Sequence, residues 1–259
     1  MRKGKKSPDS MTFLEHLDDL RKRLFYSFLA IIFTIFPAWF FHKQIFDFLA
    51  FPVSQYLPPG ETLAYTKLTE PFMVYIKVSF LAALFVTSPF LFFQFWKFVA
   101  PGLYQREKKY VIPFVLFTTI FFTAGGIFAY FIVFPFACRF FLGMGEDFQA
   151  VIKMEEYFSL AIRIILGIAL VFELPTLVFF LSRMGLITAK WMVKKFKYAF
   201  LVVFIIAAII TPTPDPINQS IVAVPMLALY GISILIALVS EKRKKEKAKE
   251  SESEEDLAG

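Results

Sequence analysis

Six long apolar stretches, separated by short polar segments, make up most of this chain. A membrane-spanning helix needs about 20 consecutive apolar residues, because the hydrocarbon core of a bilayer is about 30 Å thick. We therefore predict an all-α, polytopic membrane protein with six transmembrane helices, at residues 24–41, 72–96, 110–138, 164–182, 198–211 and 217–240. The pattern predicts a single transmembrane domain over residues 1–240. Residues 241–259 are rich in charge and lack apolar periodicity, so we expect a disordered tail.

Prolines lie within or beside five of these stretches and are expected to bend the helices: Pro37, Pro89, Pro113, Pro135, Pro175 and Pro225. Bent helices joined by few long loops indicate a curved wall of helices. The fifth stretch reaches only about 21 Å as a helix. It is followed by Thr211-Pro212-Thr213-Pro214-Asp215-Pro216, where the prolines prevent a helix from continuing. We expect the last two spans to form a tight hairpin.

Lys and Arg residues are concentrated on one side of the predicted spans. The two termini and the two loops on their side carry 22 of them, whereas the opposite side carries six. Positive charge accumulates on the cytoplasmic side of membrane proteins. We therefore predict a multi-pass protein of the cell inner or plasma membrane with both termini cytoplasmic. The net charge of +7 follows from this topology, and we predict no binding to nucleic acid.

Composition excludes several kinds of active site. The chain has one cysteine, Cys138, and two histidines, His16 and His42. These are too few for an internal disulfide, a cysteine-based metal site or an all-histidine zinc cluster. There is no Gly-rich phosphate loop with its lysine. No set of nucleophile, base and metal ligands stands out, so we predict that the protein is not an enzyme, has no catalytic residue and uses no metal or cofactor.

One acidic residue, Glu173, lies at the middle of residues 164–182, a stretch with no other charge. An ionised carboxylate at the centre of a membrane helix costs at least about 2.5–3.5 kcal/mol and usually has a function. Pro175 leaves a backbone carbonyl one turn earlier without its usual donor. We interpret Glu173 and Pro175 as an intramembrane polar site. The alternative is a neutral carboxyl group bonded to a neighbouring helix.

Three acidic residues precede the first span on the predicted cytoplasmic side: Glu15, Asp18 and Asp19. On a helix, Asp18 and Lys22 are four residues apart, as are Asp19 and Arg23, so the segment can neutralise itself. The other interpretation is an acidic site for a cationic ligand. Glu107, in the loop on the same side, either pairs with its basic neighbours or supplies a second carboxylate. Two carboxylates there would suit guanidinium groups.

Several motifs stand in order between residues 12 and 240: Leu14-Glu15-His16-Leu17-Asp18-Asp19-Leu20-Arg21-Lys22-Arg23-Leu24, Glu70-Pro71-Phe72, Gln94-Phe95-Trp96-Lys97-Phe98-Val99-Ala100-Pro101-Gly102-Leu103-Tyr104 with Glu107, Phe128-Ala129-Tyr130-Phe131, Phe172-Glu173-Leu174-Pro175, and Thr211-Pro212 with Asp215 and Gln219. Each motif alone is weak, but their joint order and spacing are specific. Together they resemble TatC, the multi-spanning receptor subunit of the twin-arginine protein translocase.

The resemblance implies a concave, palm-like wall of six helices that binds signal peptides carrying two adjacent arginines. Asp19 and Glu107 match the acidic residues implicated in holding the arginine pair, and we expect Glu15 and Arg21 to belong to the same site. Glu173 matches a glutamate proposed to meet partner or signal-peptide helices.

The resemblance also implies partners and an energy source. The residues that match the region proposed to dock single-span partners are Thr211, Asp215 and Gln219. The expected partners are TatA-like and TatB-like single-span proteins, the signal peptides of folded cargo and the lipid bilayer, with a homo-oligomer inside a larger complex. Transport would use the proton motive force.

Two positions depart from the family pattern. Asp19 stands where the family usually has Glu, which shortens the side chain by one methylene, and Thr213 interrupts the usual Thr-Pro-Pro-Asp of the last turn. The alternative function is a proton-coupled small-molecule secondary transporter with Glu173 as the proton carrier. Such a transporter usually has internal repeats and several ionisable groups along one path, and neither is visible in this sequence.

Overall fold

A computed structural model describes residues 13–55, 62–99, 111–145, 151–211 and 215–258. Within these residues the chain is helical and has no β-strand beyond one isolated bridge between Ala64 and Lys153. The helices are α1 Phe13–Phe40, α2 His42–Ser54, α3 Glu70–Val99, α4 Val111–Phe128, α5 Phe134–Gly143, α6 Met154–Val171, α7 Leu174–Met184, α8 Ala189–Lys194, α9 Phe196–Ile210 and α10 Pro216–Ala258. The predicted all-α fold class is confirmed.

The spans occur where the hydrophobic pattern predicts them. In the described part of the chain, five helical segments are long and apolar enough to cross a membrane: Leu14–Phe40, Glu70–Val99, Ile112–Gly143, Met154–Ser182 and Gln219–Lys242. A shorter apolar helix, Phe196–Ile210, corresponds to the fifth predicted span. The six-span prediction is therefore consistent with the structure, and the fifth span is short as expected.

Two helices extend beyond their predicted spans. Helix α1 begins at Phe13 and not at Leu24, because the polar segment before the span is itself helical and carries a pair of charges at helical spacing. Helix α10 continues to Ala258, past Ser240, and so differs from the expected disordered tail.

The contacts between helices divide the chain into two compact units. The first contains residues 1–123 and 142–162, and the second contains residues 124–141 and 163–259. The prediction of one domain over residues 1–240 therefore stays a prediction.

In the first unit, α1 and α2 pack on α3. The Tyr157 hydroxyl of α6 donates to the Leu49 carbonyl of α2 at 2.7 Å. The Lys77 ammonium of α3 lies 3.1 Å from Glu155 Oε1 and 3.0 Å from the Ser159 hydroxyl of α6. These bonds join α2, α3 and the start of α6 through polar side chains.

In the second unit, small residues let the helices approach closely. Ala207 of α9 and Ala223 and Ala237 of α10 are all fully buried. A Cβ atom on Gly167 of α6 would lie only 2.8 Å from the Ile210 side chain of α9. Close contact between backbones is a common way for helices to pack within a membrane, where the hydrophobic effect contributes little.

The sole cysteine, Cys138 of α5, is a free thiol and is buried.

Two of the predicted spans contain irregular backbone. A π-helical turn, Ala129–Val133, joins α4 to α5, and residues 172–173 separate α6 from α7. Three prolines lie inside continuous membrane helices: Pro37, Pro89 and Pro225. Proline alone therefore does not interrupt a helix in this protein, and the break at Glu173 needs a local explanation.

Candidate functional site

The helix break at Glu173 coincides with Pro175 and with tight packing against α4. Pro175 has no N–H to donate to the carbonyl of Val171, and in a continuous helix its ring clashes with that carbonyl. Helix α6 accordingly ends at Val171 and α7 begins at Leu174, with Pro175 in the first turn of α7. The Glu173 N–H donates to the Leu170 carbonyl at 3.1 Å. The single helix predicted over residues 164–182 is thus corrected to two helices with Glu173 at the N-cap of the second.

The neighbourhood of Glu173 is tightly packed. Pro175 is fully buried, whereas Glu173 itself is half-buried. A Cβ atom on Gly125 of α4 would lie 2.8 Å from the Ala169 Cα atom and 2.8 Å from the Phe172 Cβ atom. The absence of a side chain at Gly125 therefore lets α4 contact α6 just before the break.

The helix break places polar groups in an apolar region of the chain. The N-terminus of α7 carries a partial positive charge, which stabilises a nearby carboxylate such as that of Glu173. One turn further along, Thr176 is 5% exposed, and its hydroxyl has no hydrogen-bond partner among the described residues. A polar group inserted beside this break could therefore find both an acidic side chain and a buried hydroxyl.

A second candidate site lies on the polar extension of α1, residues 13–23, which precede the first predicted span. Arg23 Nε donates to Asp19 Oδ2 at 2.7 Å, and the two side chains are 15% and 22% exposed. The predicted pairing of Asp19 with Arg23 is confirmed. Glu15 and Arg21 are exposed on the same extension. Glu107 lies outside the described residues, so its prediction as a partner of Asp19 stays a prediction.

A contact that the sequence did not predict fixes the start of α1. The rings of His16 and Phe98 are stacked, with centroids 4.4 Å apart and an angle of 16° between their planes. His16 is in the first turns of α1 and Phe98 is in the last turn of α3, next to the segment 100–110. The contact joins positions far apart in sequence, and an aromatic pair of this kind gives no local signal in a sequence.

The predicted partner-docking residues lie where α9 ends and α10 begins. Thr211 is 6% exposed, and its hydroxyl donates to the Ala207 carbonyl at 2.8 Å. Its hydroxyl therefore bonds within its own helix. Asp215 and Gln219 are half-buried, and the Gln219 N–H donates to the Asp215 carbonyl at 3.2 Å. The intervening residues 212–214 of the predicted turn lie outside the described residues.

No group of three His, Cys, Asp or Glu side chains within the described ranges could hold a metal ion. The polar groups of the two candidate sites are the half-buried Glu173 carboxylate, buried hydroxyls, and the bonded pair of Asp19 and Arg23 on the polar extension of α1. These groups can accept and donate hydrogen bonds to another protein segment.

Comparison with known proteins identifies the family of this chain. The family model described as "Sec-independent protein translocase protein (TatC)" matches residues 15–225. A TatC from Koribacter versatilis (strain Ellin345) is 45% identical over 232 residues, which cover 88% of this chain and 86% of the relative. A TatC from Helicobacter pylori (strain J99) is 44% identical over 223 residues, covering 86% and 87%.

Solved structures that resemble this chain point to the same family. A crystal structure of the twin-arginine translocase receptor TatC superposes with a TM-score of 0.77 at 34% identity, covering 88% of this chain and 100% of the other. A crystal structure of the same receptor in DDM gives a TM-score of 0.78, covering 86% and 99%. The match of family model, curated relatives and fold over nearly the same residues shows that this membrane protein belongs to the TatC family of Sec-independent protein translocase proteins.

Proposed function

We propose that this chain is the receptor and core component of a twin-arginine translocase. It binds signal peptides with two adjacent arginines, assembles with TatA-like and TatB-like single-span proteins, and exports folded proteins using the proton motive force. The observation that carries the proposal is the bond between Arg23 Nε and Asp19 Oδ2 at 2.7 Å. This bond shows that the Asp19 carboxylate on the polar extension of α1 already binds a guanidinium group.

The internal pair is weak enough to exchange. A charge pair four residues apart on a helix surface is worth only about 0.3–0.5 kcal/mol, and this pair is partly buried, with side chains 15% and 22% exposed. The bond between Arg23 and Asp19 uses one guanidinium nitrogen, whereas an incoming arginine can bind a carboxylate through two parallel hydrogen bonds, which are stronger. A peptide guanidinium can therefore replace Arg23 at Asp19 at little cost.

The position of Asp19 also supports the proposal. The stack of His16 on Phe98, at 4.4 Å, holds the start of α1 against the end of α3. Phe98 is followed along the chain by the segment that carries Glu107, the second carboxylate in the proposal. Two acidic groups suit two adjacent arginines, and Glu15 and Arg21 would complete the polar surroundings.

The test is binding of a fluorescent twin-arginine peptide to the purified full chain. Asp19→Asn combined with Glu107→Gln is expected to weaken binding at least tenfold, because charged hydrogen bonds contribute about 1.5–3 kcal/mol each. Asp18→Asn is the matched control, since it removes an adjacent exposed acid. Equal loss in the control, or unchanged binding in the double variant, would contradict the assignment of Asp19 and Glu107.

Glu173 has a separate place in the proposal. Its half-buried carboxylate, beside a helix break, supports docking of an inserted helix from a partner or signal peptide. Thr211, Asp215 and Gln219 supply a second contact region for single-span partners. Site-specific crosslinking from residues 173 and 219 to co-expressed single-span proteins tests the two regions separately.

The predicted orientation can be tested independently of peptide binding. A reporter that is active only in the cytoplasm, fused after residue 259, is expected to be active. A reporter in the segment 56–61 is expected to be inactive, since that segment follows the first span. The reverse result would overturn the topology without affecting the family assignment.

A further inference from the structure

Helix α8, between α7 and α9, is hydrogen-bonded to side chains of α10. The Glu241 carboxylate accepts a hydrogen bond from the Ala189 N–H at 2.6 Å, and the Tyr230 hydroxyl donates to the Met192 carbonyl at 3.0 Å. At the N-cap, the Thr188 hydroxyl accepts from the Trp191 N–H at 3.2 Å. Both ends of this six-residue helix are therefore fixed.

The inner face of α8 belongs to the core of its unit. Ala189 and Met192 are 1% and 2% exposed, and they pack against Val178 of α7 and Ala237 of α10. Since these contacts set the rotation of the helix, they also decide which side chains point outward.

The outward side chains form a group that we call the basic surface: Lys190, Trp191, Lys194, Lys195, Lys197 and Tyr198. All six are exposed, and Trp191 and Tyr198 are each 52% exposed. The Lys195 and Lys197 ammonium nitrogens lie 5.1 Å and 5.0 Å from the centre of the Tyr198 ring. Two cations thus converge on one aromatic side chain.

The basic surface has no acidic neighbour in its own part of the sequence. No Asp or Glu occurs between Glu173 and Asp215, and the Glu241 carboxylate bonds the backbone of α8. Lys190 and Lys194 are four residues apart on one helix, where like charges repel. An anion bound outside the helix would relieve this repulsion.

The location of α8 identifies the kind of anion. The helix lies between the span that ends at Ser182 and the apolar helix that begins at Phe196, so it lies at a membrane surface. Exposed Trp and Tyr side chains favour the headgroup region of a bilayer, and neighbouring lysines attract anionic lipids. We propose that the basic surface binds the phosphate groups of anionic phospholipids in the surrounding leaflet. This site is distinct from Asp19 and does not depend on peptide binding.

The experiment is native mass spectrometry of the detergent-purified full chain titrated with phosphatidylglycerol or phosphatidylcholine. Each lysine near a charged membrane surface changes affinity about fivefold, so the double variant Lys190→Gln/Lys194→Gln should bind phosphatidylglycerol about 25-fold more weakly. The matched control, Lys43→Gln/Lys67→Gln, removes the same charge from exposed positions outside the basic surface and should bind as wild type does. Phosphatidylcholine should bind weakly to all three proteins.

Three outcomes would overturn the proposal. The first is equal phosphatidylglycerol binding by the double variant and the control. The second is displacement of the lipid by millimolar inorganic phosphate, which would indicate a site for a free anion. The third is stronger competition by an oligoglutamate peptide, which would indicate an acidic protein segment as the ligand.

Two control measurements keep the result interpretable. Circular dichroism and gel filtration should be unchanged in the double variant, because the substituted side chains are exposed. Its affinity for the twin-arginine peptide should also be unchanged. Loss of peptide binding in the double variant would contradict the separation of the two sites.

Discussion

Two carboxylates, Asp19 in the first unit and Glu173 in the second, are accommodated in different ways. Asp19 is on a continuous helix and is bonded to Arg23 one turn away, so its charge is balanced within the same segment. Glu173 lies at a break between two helices, at the N-cap of α7, in a stretch with no other charge. The first arrangement suits exchange of one guanidinium for another, and the second suits contact with an inserted helix.

The largest expected effect concerns the packing at the Glu173 break. Gly125→Ala should destabilise the protein by about 1–3 kcal/mol, because the new methyl group would overlap backbone and side-chain atoms of α6. Thermal unfolding in detergent measures the change. Gly231→Ala is the matched control, since a Cβ atom there meets nothing within 4 Å. It should be neutral or stabilising by up to about 1 kcal/mol, and equal losses would contradict the close approach at Gly125.

A second prediction tests whether docking of partner helices at Glu173 requires the helix break. Pro175→Ala supplies an N–H that the Val171 carbonyl can accept, for a net gain of about 1 kcal/mol. We expect a higher unfolding midpoint together with weaker crosslinking from residue 173 to partner helices. Pro225→Ala, inside continuous α10, should leave that crosslinking unchanged. Wild-type crosslinking in the Pro175 variant would show that docking does not need the break.

The smallest expected effect concerns Arg23. Arg23→Gln removes the internal pair and should lower stability by about 0.3–0.5 kcal/mol. Asp19 then has no competing guanidinium group, so the affinity for the twin-arginine peptide should stay equal or rise. A rise of about twofold corresponds to the roughly 0.3–0.5 kcal/mol of the lost pair. Fluorescence anisotropy with the labelled peptide measures this. A marked loss of affinity would show that Arg23 positions the Asp19 carboxylate and does not compete for it.

Much of the fold was predictable because lipid imposes a simple rule on long apolar segments. The six spans, the short fifth helix and the pairing of Asp19 with Arg23 all follow from periodicity and spacing. Pro175 indicated irregular backbone near Glu173, but the sequence did not distinguish a bend from two separate helices. Pro37 and Pro225, which lie inside continuous helices, show that the packing around a proline decides the outcome.

Features that depend on contacts between distant residues were not predictable. The stack of His16 on Phe98 and the bond from Ala189 to Glu241 join residues far apart in sequence. Pro135 indicated a bend near the π-helical turn at Ala129–Val133, but the sequence did not predict a π-helical conformation there. Such features arise from the packing of particular helices, for which a single sequence carries no local signal.

The burial of Cys138 makes this chain convenient for chemical labelling. Thiol reagents react with the exposed thiolate, and the sole native sulfhydryl is enclosed in α5. A cysteine introduced at any exposed position should therefore be modified selectively, without first replacing the native residue. Membrane-impermeant maleimides could then report which positions face each compartment in otherwise unaltered protein.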